Sequence, residues 1–171
     1  VDYWKATDPR HVYTGASVGG SWQWQPHNQY HVKAGARGLS WAGSQPESMS
    51  DYRAKIDSVK QPYVSHETGQ WCAFPNFSEI RKYTGVNKAK NFEIFRDILN
   101  DNHMGSMGHD FMMASGKLQA ICYKHEIEKT LRTPDYAGFQ LLALNDYSGQ
   151  GTALVGLLDV FFEFQNLDLF A

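Results

Sequence analysis

Short apolar runs alternate along this chain with longer segments whose apolar residues recur at helical spacing. Residues 62–67 (PYVSHE) are too short for a helix and begin with proline, so they predict a brief buried strand. Residues 139–144 (FQLLAL) form a continuous apolar run that is typical of a parallel sheet. Two amphipathic helices are predicted between these strands, at residues 88–102 and 109–131. Strands separated by helices indicate an α/β fold with parallel strands.

The other predicted elements are shorter. They are strands at 12–16 (VYTGA) and 30–34 (YHVKA), the end of a helix within 1–11, a helix from Ser50 or Asp51 to Val59, and a helical turn at 77–83 that is capped by Ser78. The side chains expected to face inward from the two long helices are Phe92, Phe95, Ile98, Leu99, Phe111, Met112, Leu118, Ile121 and Cys122. Four strands cannot close an eight-stranded barrel, which takes about 250 residues. We therefore expect a single domain over residues 1–171 that is either an open sheet or the second half of a barrel.

Aromatic residues make up 14% of the chain, with five tryptophans and nine tyrosines. Because aromatic rings stack on the apolar faces of sugar rings, this composition tilts the expected ligand toward carbohydrate, although large cores also use aromatics. The net charge of −2 and the lack of a basic stripe argue against a nucleic-acid partner. No apolar run approaches the roughly 20 residues that span a bilayer, so we expect no membrane partner.

Two cysteines, Cys72 and Cys122, form no CxxC pair and offer no metal-ligand spacing, so neither a disulfide framework nor a metal site is expected. The opening residues VDYWK are not a signal peptide and contain no initiator methionine. We expect the chain to be a mature, processed or truncated product.

Glu67 follows the apolar part of the predicted strand at 62–67 and precedes Thr68 and Gly69. A carboxylate at the C-terminal tip of a buried parallel strand is where a (β/α) barrel places catalytic groups. His66 adjoins Glu67, Gly69 permits close approach of a ligand or backbone, and Gln70 and Trp71 offer a hydrogen bond and a stacking face. The competing interpretation is a carboxylate that caps a helix or pairs with an arginine.

Two other catalytic patterns fit this stretch poorly. The zinc motif HExxH requires a second histidine one helical turn later, but HETGQ ends in Gln70 and lies on a strand. A Ser-His-Asp hydrolase is also disfavoured, because GxSxG is absent and Ser65 and His66 alternate to opposite faces of a strand.

Further candidates lie on other predicted strands and loops. His31 sits on a short strand between aromatic loops, and a hydrogen-bonded core histidine is its competing interpretation. Asp146 follows the run at 139–144, and a turn-forming aspartate in NDYSG is the alternative there.

Several long stretches resemble the catalytic barrel of bacterial glycoside hydrolase family 2, in its Bacteroidetes β-galactosidase-like branch. They are DPRHVYTGAS, HETGQWCAFPNFSEIRKYTG, KAKNFEIFRD, FMMASGKLQAICYKHEIEKTLRTP and GFQLLALNDYSGQGTALVGLLD, and together they cover about residues 2–159. The resemblance implies a retaining, exo-acting β-glycoside hydrolase in which Glu67 is the nucleophile at the tip of the seventh strand. VYTGA, YHVKA and FQLLALND then match the fifth, sixth and eighth strands.

The resemblance also implies which residues line the sugar pocket and where the protein works. The implied substrate-binding residues are His31, Trp41, His66, Trp71 and Asp146. No metal or organic cofactor is implied, and a periplasmic or secreted location is favoured.

One catalytic group of the family has no counterpart in this sequence. A retaining glycosidase needs two carboxyl groups about 5–5.5 Å apart. The family's acid/base glutamate follows an asparagine at the end of strand four, and no Asn-Glu pair occurs here. Strands one to four are absent as well, and the tail at 160–171 has no assigned role. We therefore expect self-association or a missing N-terminal half to complete the barrel. The alternatives are a non-catalytic carbohydrate-binding module or inactive fragment, and an enzyme of different chemistry that uses Asp146 as its acid.

Overall fold

A computed structural model describes residues 1–15, 25–147 and 153–164, apart from the side chain of Ala42. The helices are α1 (Asp2–Thr7), α2 (Arg53–Ile56), α3 (Lys90–Asp101) and α4 (Gly108–Arg132), and the strands are β1 (His31–Lys33), β2 (Tyr63–Thr68) and β3 (Tyr136–Leu141). Short 3-10 helices occupy Ser40–Ala42, Phe77–Lys82 and Gly105–Met107. Among the residues described, no helix combines the length and apolarity that crossing a membrane requires.

The three strands form one parallel sheet in the order β1-β2-β3. His31 of β1 lies opposite Tyr63 of β2, and Tyr63 lies opposite Tyr136 of β3. The α/β class with parallel strands is confirmed. β2 is the central strand, so its carboxyl end lies between the ends of its two neighbours.

The chain divides into two compact units. The first contains the described part of residues 1–70 together with 124–142, and it holds the whole sheet. Its core is formed by Ala36, Tyr52, Ile56 and Tyr63, against which Val59 and Tyr136 pack. The second unit contains residues 71–123 and the described part of 143–171. Its core is formed by Ala89, Phe92 and Leu154, with Phe77, Ile80 and Tyr83 packed against them.

The strand predicted at 12–16 is wrong for residues 12–15, the part that the structure describes. The Tyr13 N–H donates to Oε1 of Gln29 (2.9 Å), and the Gly15 N–H donates to Oδ1 of Asn28 (2.9 Å). These side chains satisfy the backbone donors that a strand partner would otherwise take. The strand predicted at 30–34 is confirmed as β1, and the strand at 62–67 as β2.

The last strand begins three residues earlier than the apolar run FQLLAL predicts. Its start is fixed by Tyr136, whose ring packs against Tyr63 at 5.0 Å between centroids and whose hydroxyl donates to the Ala36 carbonyl. β3 ends at Leu141, so Asp146 lies five residues beyond the strand and not at its tip, and Leu144 is 62% exposed.

Both long helices are confirmed, but four side chains predicted to face inward are exposed. They are Phe95 (37%), Ile98 (52%), Leu118 (56%) and Ile121 (48%). α3 buries Phe92 against Ala89 and Leu154. Helical periodicity shows that an apolar stripe exists, but it does not show how much of the stripe a neighbour covers.

The shorter helical predictions need smaller corrections. The helix predicted to reach Val59 ends at Ile56. Asp51 accepts from the Arg53 N–H (2.8 Å), so it supports the first turn of α2 from outside the helix. The turn at Phe77–Lys82 is capped by Asn76, whose side chain accepts from the Ser78 N–H (3.1 Å), and not by Ser78 itself.

Candidate active site at the carboxyl end of β2

Glu67 adopts a left-handed backbone conformation near the end of β2. Its φ is +56°, and Gly69, two residues later, has a φ of +84°. A glutamate in this region costs about 1–2 kcal/mol because its Cβ crowds the following carbonyl oxygen. Such a conformation persists only where the surroundings hold it, and it is common at functional sites.

Arg37, in the loop after β1, holds this conformation. Its Nη1 donates to the carbonyl oxygens of His66 (2.8 Å) and Glu67 (2.9 Å) and to Oε2 of the Glu67 carboxylate (3.0 Å). The side chains of Arg37 and Glu67 are 23% and 35% exposed. The guanidinium therefore holds both the backbone at residues 66–67 and the carboxylate of Glu67. A third of the Glu67 side chain stays open to solvent.

The loop that carries Arg37 is fixed by buried hydroxyl groups. Tyr63 Oη accepts from the Ala36 N–H (2.9 Å) and donates to the Lys33 carbonyl (2.9 Å). Tyr52 Oη donates to the Gly38 carbonyl (2.7 Å). Burial raises the pKa of both phenols, so they stay protonated and keep donating across the physiological range. Arg37 therefore projects from a segment that is bonded on either side of it.

A buried carboxylate on α4 joins the two loops of the site. Glu126 is 1% exposed; its Oε1 accepts from the Gly38 N–H (2.6 Å) and its Oε2 from the Gly69 N–H (3.2 Å). Gly38 directly follows Arg37, and Gly69 closely follows Glu67. One side chain thus contacts the backbone on both sides of the Arg37–Glu67 ion pair.

His66 and Gln70 lie next to the carboxylate of Glu67, and Gln140 contacts His66. His66 Nδ1 lies 3.1 Å from Oε1 of Gln140 on β3, and its Nε2 lies 3.8 Å from Oε1 of Glu67. Gln70 Nε2 donates to Oε2 of Glu67 (3.4 Å). Oε2 therefore takes the direct hydrogen bonds, and Oε1 is the oxygen with the freer lone pairs.

The structure does not bring His31 to this site. His31 is opposite Tyr63, at the amino end of the sheet, and about 13 Å of strand separates that position from Glu67. It is 2% exposed, and burial lowers its pKa, so its ring is neutral at physiological pH. These features agree with the competing interpretation of a core histidine.

Trp41 lies in the same loop as Arg37, on the 3-10 turn Ser40–Ala42. Its ring is half-buried and packs edge-on against His125, with 5.3 Å between centroids. Its Nε1 donates to the Glu47 carbonyl (3.4 Å). The indole is anchored within the first unit and keeps part of its surface open.

Trp71 and Asp146 belong to the second unit, whereas Glu67, His66, His31 and Trp41 belong to the first. Trp71 is half-buried, and its carbonyl accepts from Nε2 of Gln119 (2.7 Å). Asp146 is 3% exposed, and its Oδ1 accepts from the Gly156 N–H (2.8 Å). This hydrogen bond spans ten residues, so it does not test the alternative of a turn-forming aspartate in NDYSG, and residues 148–149 of that motif lie outside the described residues.

Arg37 and Glu126 were not among the residues that the sequence singled out. The sequence did contain a signal for Glu126. Along α4 the buried positions 119, 122, 126 and 130 recur at helical spacing, and a glutamate inside such a stripe must have partners. Arg37 had no comparable signal, because its partners lie about 30 residues away on another strand.

The arrangement as a whole presents one half-exposed carboxylate beside a fixed cation at the end of a parallel strand. Among the described residues, no three His, Cys, Asp or Glu side chains converge as a metal site would require. No protein-family model matches the chain, and no curated protein matches it.

Proposed function

We propose that this site is the nucleophile half of a retaining, exo-acting β-glycoside hydrolase of the β-galactosidase-like kind. The observation that carries the proposal is Glu67: a carboxylate at the carboxyl end of a central parallel strand, held in a left-handed turn by Arg37, with Oε1 available. Catalytic carboxylates of barrel enzymes lie at the carboxyl ends of the strands, and the sequence resemblance assigns the nucleophile role to the same residue.

In the proposed reaction, Oε1 of Glu67 attacks the anomeric carbon of a β-glycoside. The bond from that carbon to the aglycone oxygen breaks, and a glycosyl-enzyme ester forms. Arg37 holds Oε2 in place, so that Oε1 faces the substrate. As the bond to the aglycone breaks, a second carboxyl group has to protonate the departing oxygen. As a carboxylate it then takes a proton from the water that hydrolyses the ester and frees Glu67. We propose that this acid/base comes from a missing N-terminal half or from a second copy of the chain.

The fold of the proposed enzyme is a (β/α) barrel in which β1, β2 and β3 are the sixth, seventh and eighth strands. Two facts support this assignment. The strands lie in chain order, and all are parallel. A barrel requires both.

Covalent trapping tests the nucleophile without requiring the acid/base. The reagent is 2,4-dinitrophenyl 2-deoxy-2-fluoro-β-galactoside, whose dinitrophenolate leaves with its electron pair and needs no proton. The fluorine slows hydrolysis of the ester, so the adduct accumulates. We expect the intact mass to rise by one fluorosugar and peptide sequencing to place it on Glu67.

The controls are Glu67→Gln, which removes the attacking oxygen, and Glu93→Gln, which changes a glutamate of the second unit. Glu67→Gln should stay unlabelled and Glu93→Gln should label like the parent. An adduct on another residue, or none at all, contradicts the proposal.

The second candidate is a carbohydrate-binding module without turnover. The Arg37–Glu67 ion pair favours it, because a structural pairing with arginine was the competing interpretation of Glu67. Calorimetry with galactose separates the two candidates. Binding that survives Glu67→Gln, without any trapped adduct in the parent chain, identifies the module.

A further inference from the structure

Glu126 is the buried group that links the two halves of the candidate site. It lies on α4, is 1% exposed, and uses one carboxylate oxygen for the loop after β1 and the other for the turn after β2. Burying an ionised carboxylate is costly, so a chain that retains one there gains something from it. The position of its partners indicates what is gained.

Glu126, Arg37 and Glu67 are joined in a closed ring of hydrogen bonds and short backbone segments, which we call the circuit. From Glu126, one path runs through the Gly38 N–H to Arg37, and from Nη1 of Arg37 to the carboxylate of Glu67. The other path runs from Glu67 along the chain to Gly69, whose N–H returns to Glu126. Both glycines have positive φ, +78° and +84°, which a side chain would strain. Tyr52 and Tyr63 hold the Arg37 loop, and Glu126 is the side chain that ties this loop to the turn after Glu67.

Only a carboxylate completes this circuit. Its two oxygens both accept, so each can serve one loop. A glutamine of the same shape has one accepting oxygen, and its NH₂ would face the second N–H donor. Glu126→Gln thus removes the hydrogen bond to one of the two glycine N–H groups and leaves the volume of the side chain unchanged.

We propose that Glu126 is a positioning residue that fixes Arg37 against Glu67 and thereby orients the Glu67 carboxylate for attack. This inference rests on the proposed function of Glu67. It assigns Glu126 no contact with the substrate.

The unsubstituted protein provides the first test, which needs no variant to fold. In protein labelled with ¹⁵N and ¹³C, the amides of Gly38 and Gly69 should each show a scalar coupling across the hydrogen bond to the side-chain carboxyl carbon of Glu126. Absence of both couplings overturns the proposal.

The second test compares Glu126→Gln with Glu128→Gln. Glu128 is a partly exposed glutamate two residues along the same helix that pairs with Lys124 at 2.7 Å, so its substitution removes the same charge. With the fluorogalactoside, Glu126→Gln should lower the rate constant of inactivation by about tenfold or more at saturation, because a displaced reacting group slows attack. The half-saturating concentration should stay within about twofold of the parent, since Glu126 does not touch sugar. Glu128→Gln should behave like the parent, and an unchanged rate constant in folded Glu126→Gln overturns the inference.

A third measurement separates failure of this inference from failure of the proposed function. The Nη resonances of Arg37 should be resolved and slow to exchange in the parent and in Glu128→Gln, and averaged in Glu126→Gln. If the parent is never labelled by the fluorogalactoside, the nucleophile proposal fails, and these resonances still decide whether Glu126 positions Arg37. Unchanged Arg37 resonances in Glu126→Gln overturn it.

Discussion

At the scale of single residues, Glu67 and Arg37 carry the most information about this molecule. A glutamate with φ of +56° stays in place because one guanidinium nitrogen binds two carbonyls and a carboxylate around it. All three contacts are made by the terminal Nη1, and the lysine side chain is one atom shorter, so its ammonium cannot occupy the same position. The identity of residue 37 should therefore matter more than its charge.

The first prediction concerns Arg37→Lys. We expect trapping by the fluorogalactoside to slow about tenfold, since losing one charged hydrogen bond costs about 1.5 kcal/mol or more, and 1.4 kcal/mol corresponds to a factor of ten. Inactivation kinetics followed by intact mass measure the effect. The matched control is Arg53→Lys, in which an exposed arginine pairs with Asp51 at 3.3 Å. Equal rates for the two variants would contradict the role of Arg37.

The sequence singled out Glu67 as a candidate because its signal is local: an apolar strand, then a carboxylate, then glycine. It gave no signal for Arg37, and the helical spacing that marked Glu126 did not identify its partners, which become neighbours only when the loops fold onto β2. For His31, the sequence predicted the strand but not the distance of the residue from the candidate site. Its strand was predicted well, yet the register places it at the amino end of the sheet. Register depends on pairing between strands, which a single stretch of sequence does not encode.

At the scale of elements, long periodic segments were predictable and short connections were not. α3 and α4 agree with their predicted ranges to within two residues at each end. The predicted strand at 12–15 failed because the side chains of Asn28 and Gln29 took its backbone donors. Composition shows which residues suit a strand, but it does not show whether a partner strand is available.

The chain after β3 provides the second prediction, at Gly156. A Cβ there would lie 2.4 Å from the Asp146 nitrogen, 2.5 Å from the Asn145 carbonyl carbon and 2.7 Å from the Leu158 oxygen. These are backbone atoms that cannot rotate away. We therefore expect Gly156→Ala to lower the free energy of unfolding by about 3 kcal/mol or more, measured by urea titration.

Gly85→Ala is the matched control, because a Cβ at Gly85 has nothing within 4 Å. Its unfolding free energy should change by less than about 1 kcal/mol. Similar losses in both variants would show that the close approach at Gly156 is not what limits substitution.

At the scale of the whole molecule, the third prediction concerns association. In the part of the chain that the structure describes, β1 and β3 each pair only with β2, so each has a second edge without a strand partner. Open edges are templates for pairing with another chain. Following the proposal that a second copy or a missing half completes the barrel, we expect the mass from light scattering to rise from one chain to two with concentration. A constant single-chain mass would contradict completion of the barrel by a second copy.

The fourth prediction concerns a buried acid in the second unit. Glu79 is 3% exposed, and burial, together with the nearby carboxylates of Asp159 and Asp146, raises its pKa from 4.5 to about 7. The one cation among the causes of this shift is Lys82, which lowers the pKa less than the acids raise it and which donates to Asp159 (3.1 Å) and Glu163 (2.7 Å). The folded chain therefore holds a proton on Glu79 that the unfolded chain has already released between pH 4.5 and 7.

An acid whose pKa is raised by folding stabilises the fold most at low pH. The contribution of Glu79 should be fully present below pH 4.5 and fall as the pH rises toward 7 and beyond. A shift of 7 − 4.5 = 2.5 units at 1.36 kcal/mol each corresponds to a loss of roughly 3 kcal/mol.

Glu79→Gln keeps the shape of the protonated acid and cannot ionise, so it should unfold at a higher urea concentration than the parent at pH 8 and at a similar concentration near pH 4.5. Glu163→Gln removes an exposed carboxylate that pairs with the same lysine, and it should keep most of the parent's pH dependence. If Glu79→Gln and the parent respond identically to pH, Glu79 is ionised in the folded chain and its proton does not stabilise the core of the second unit.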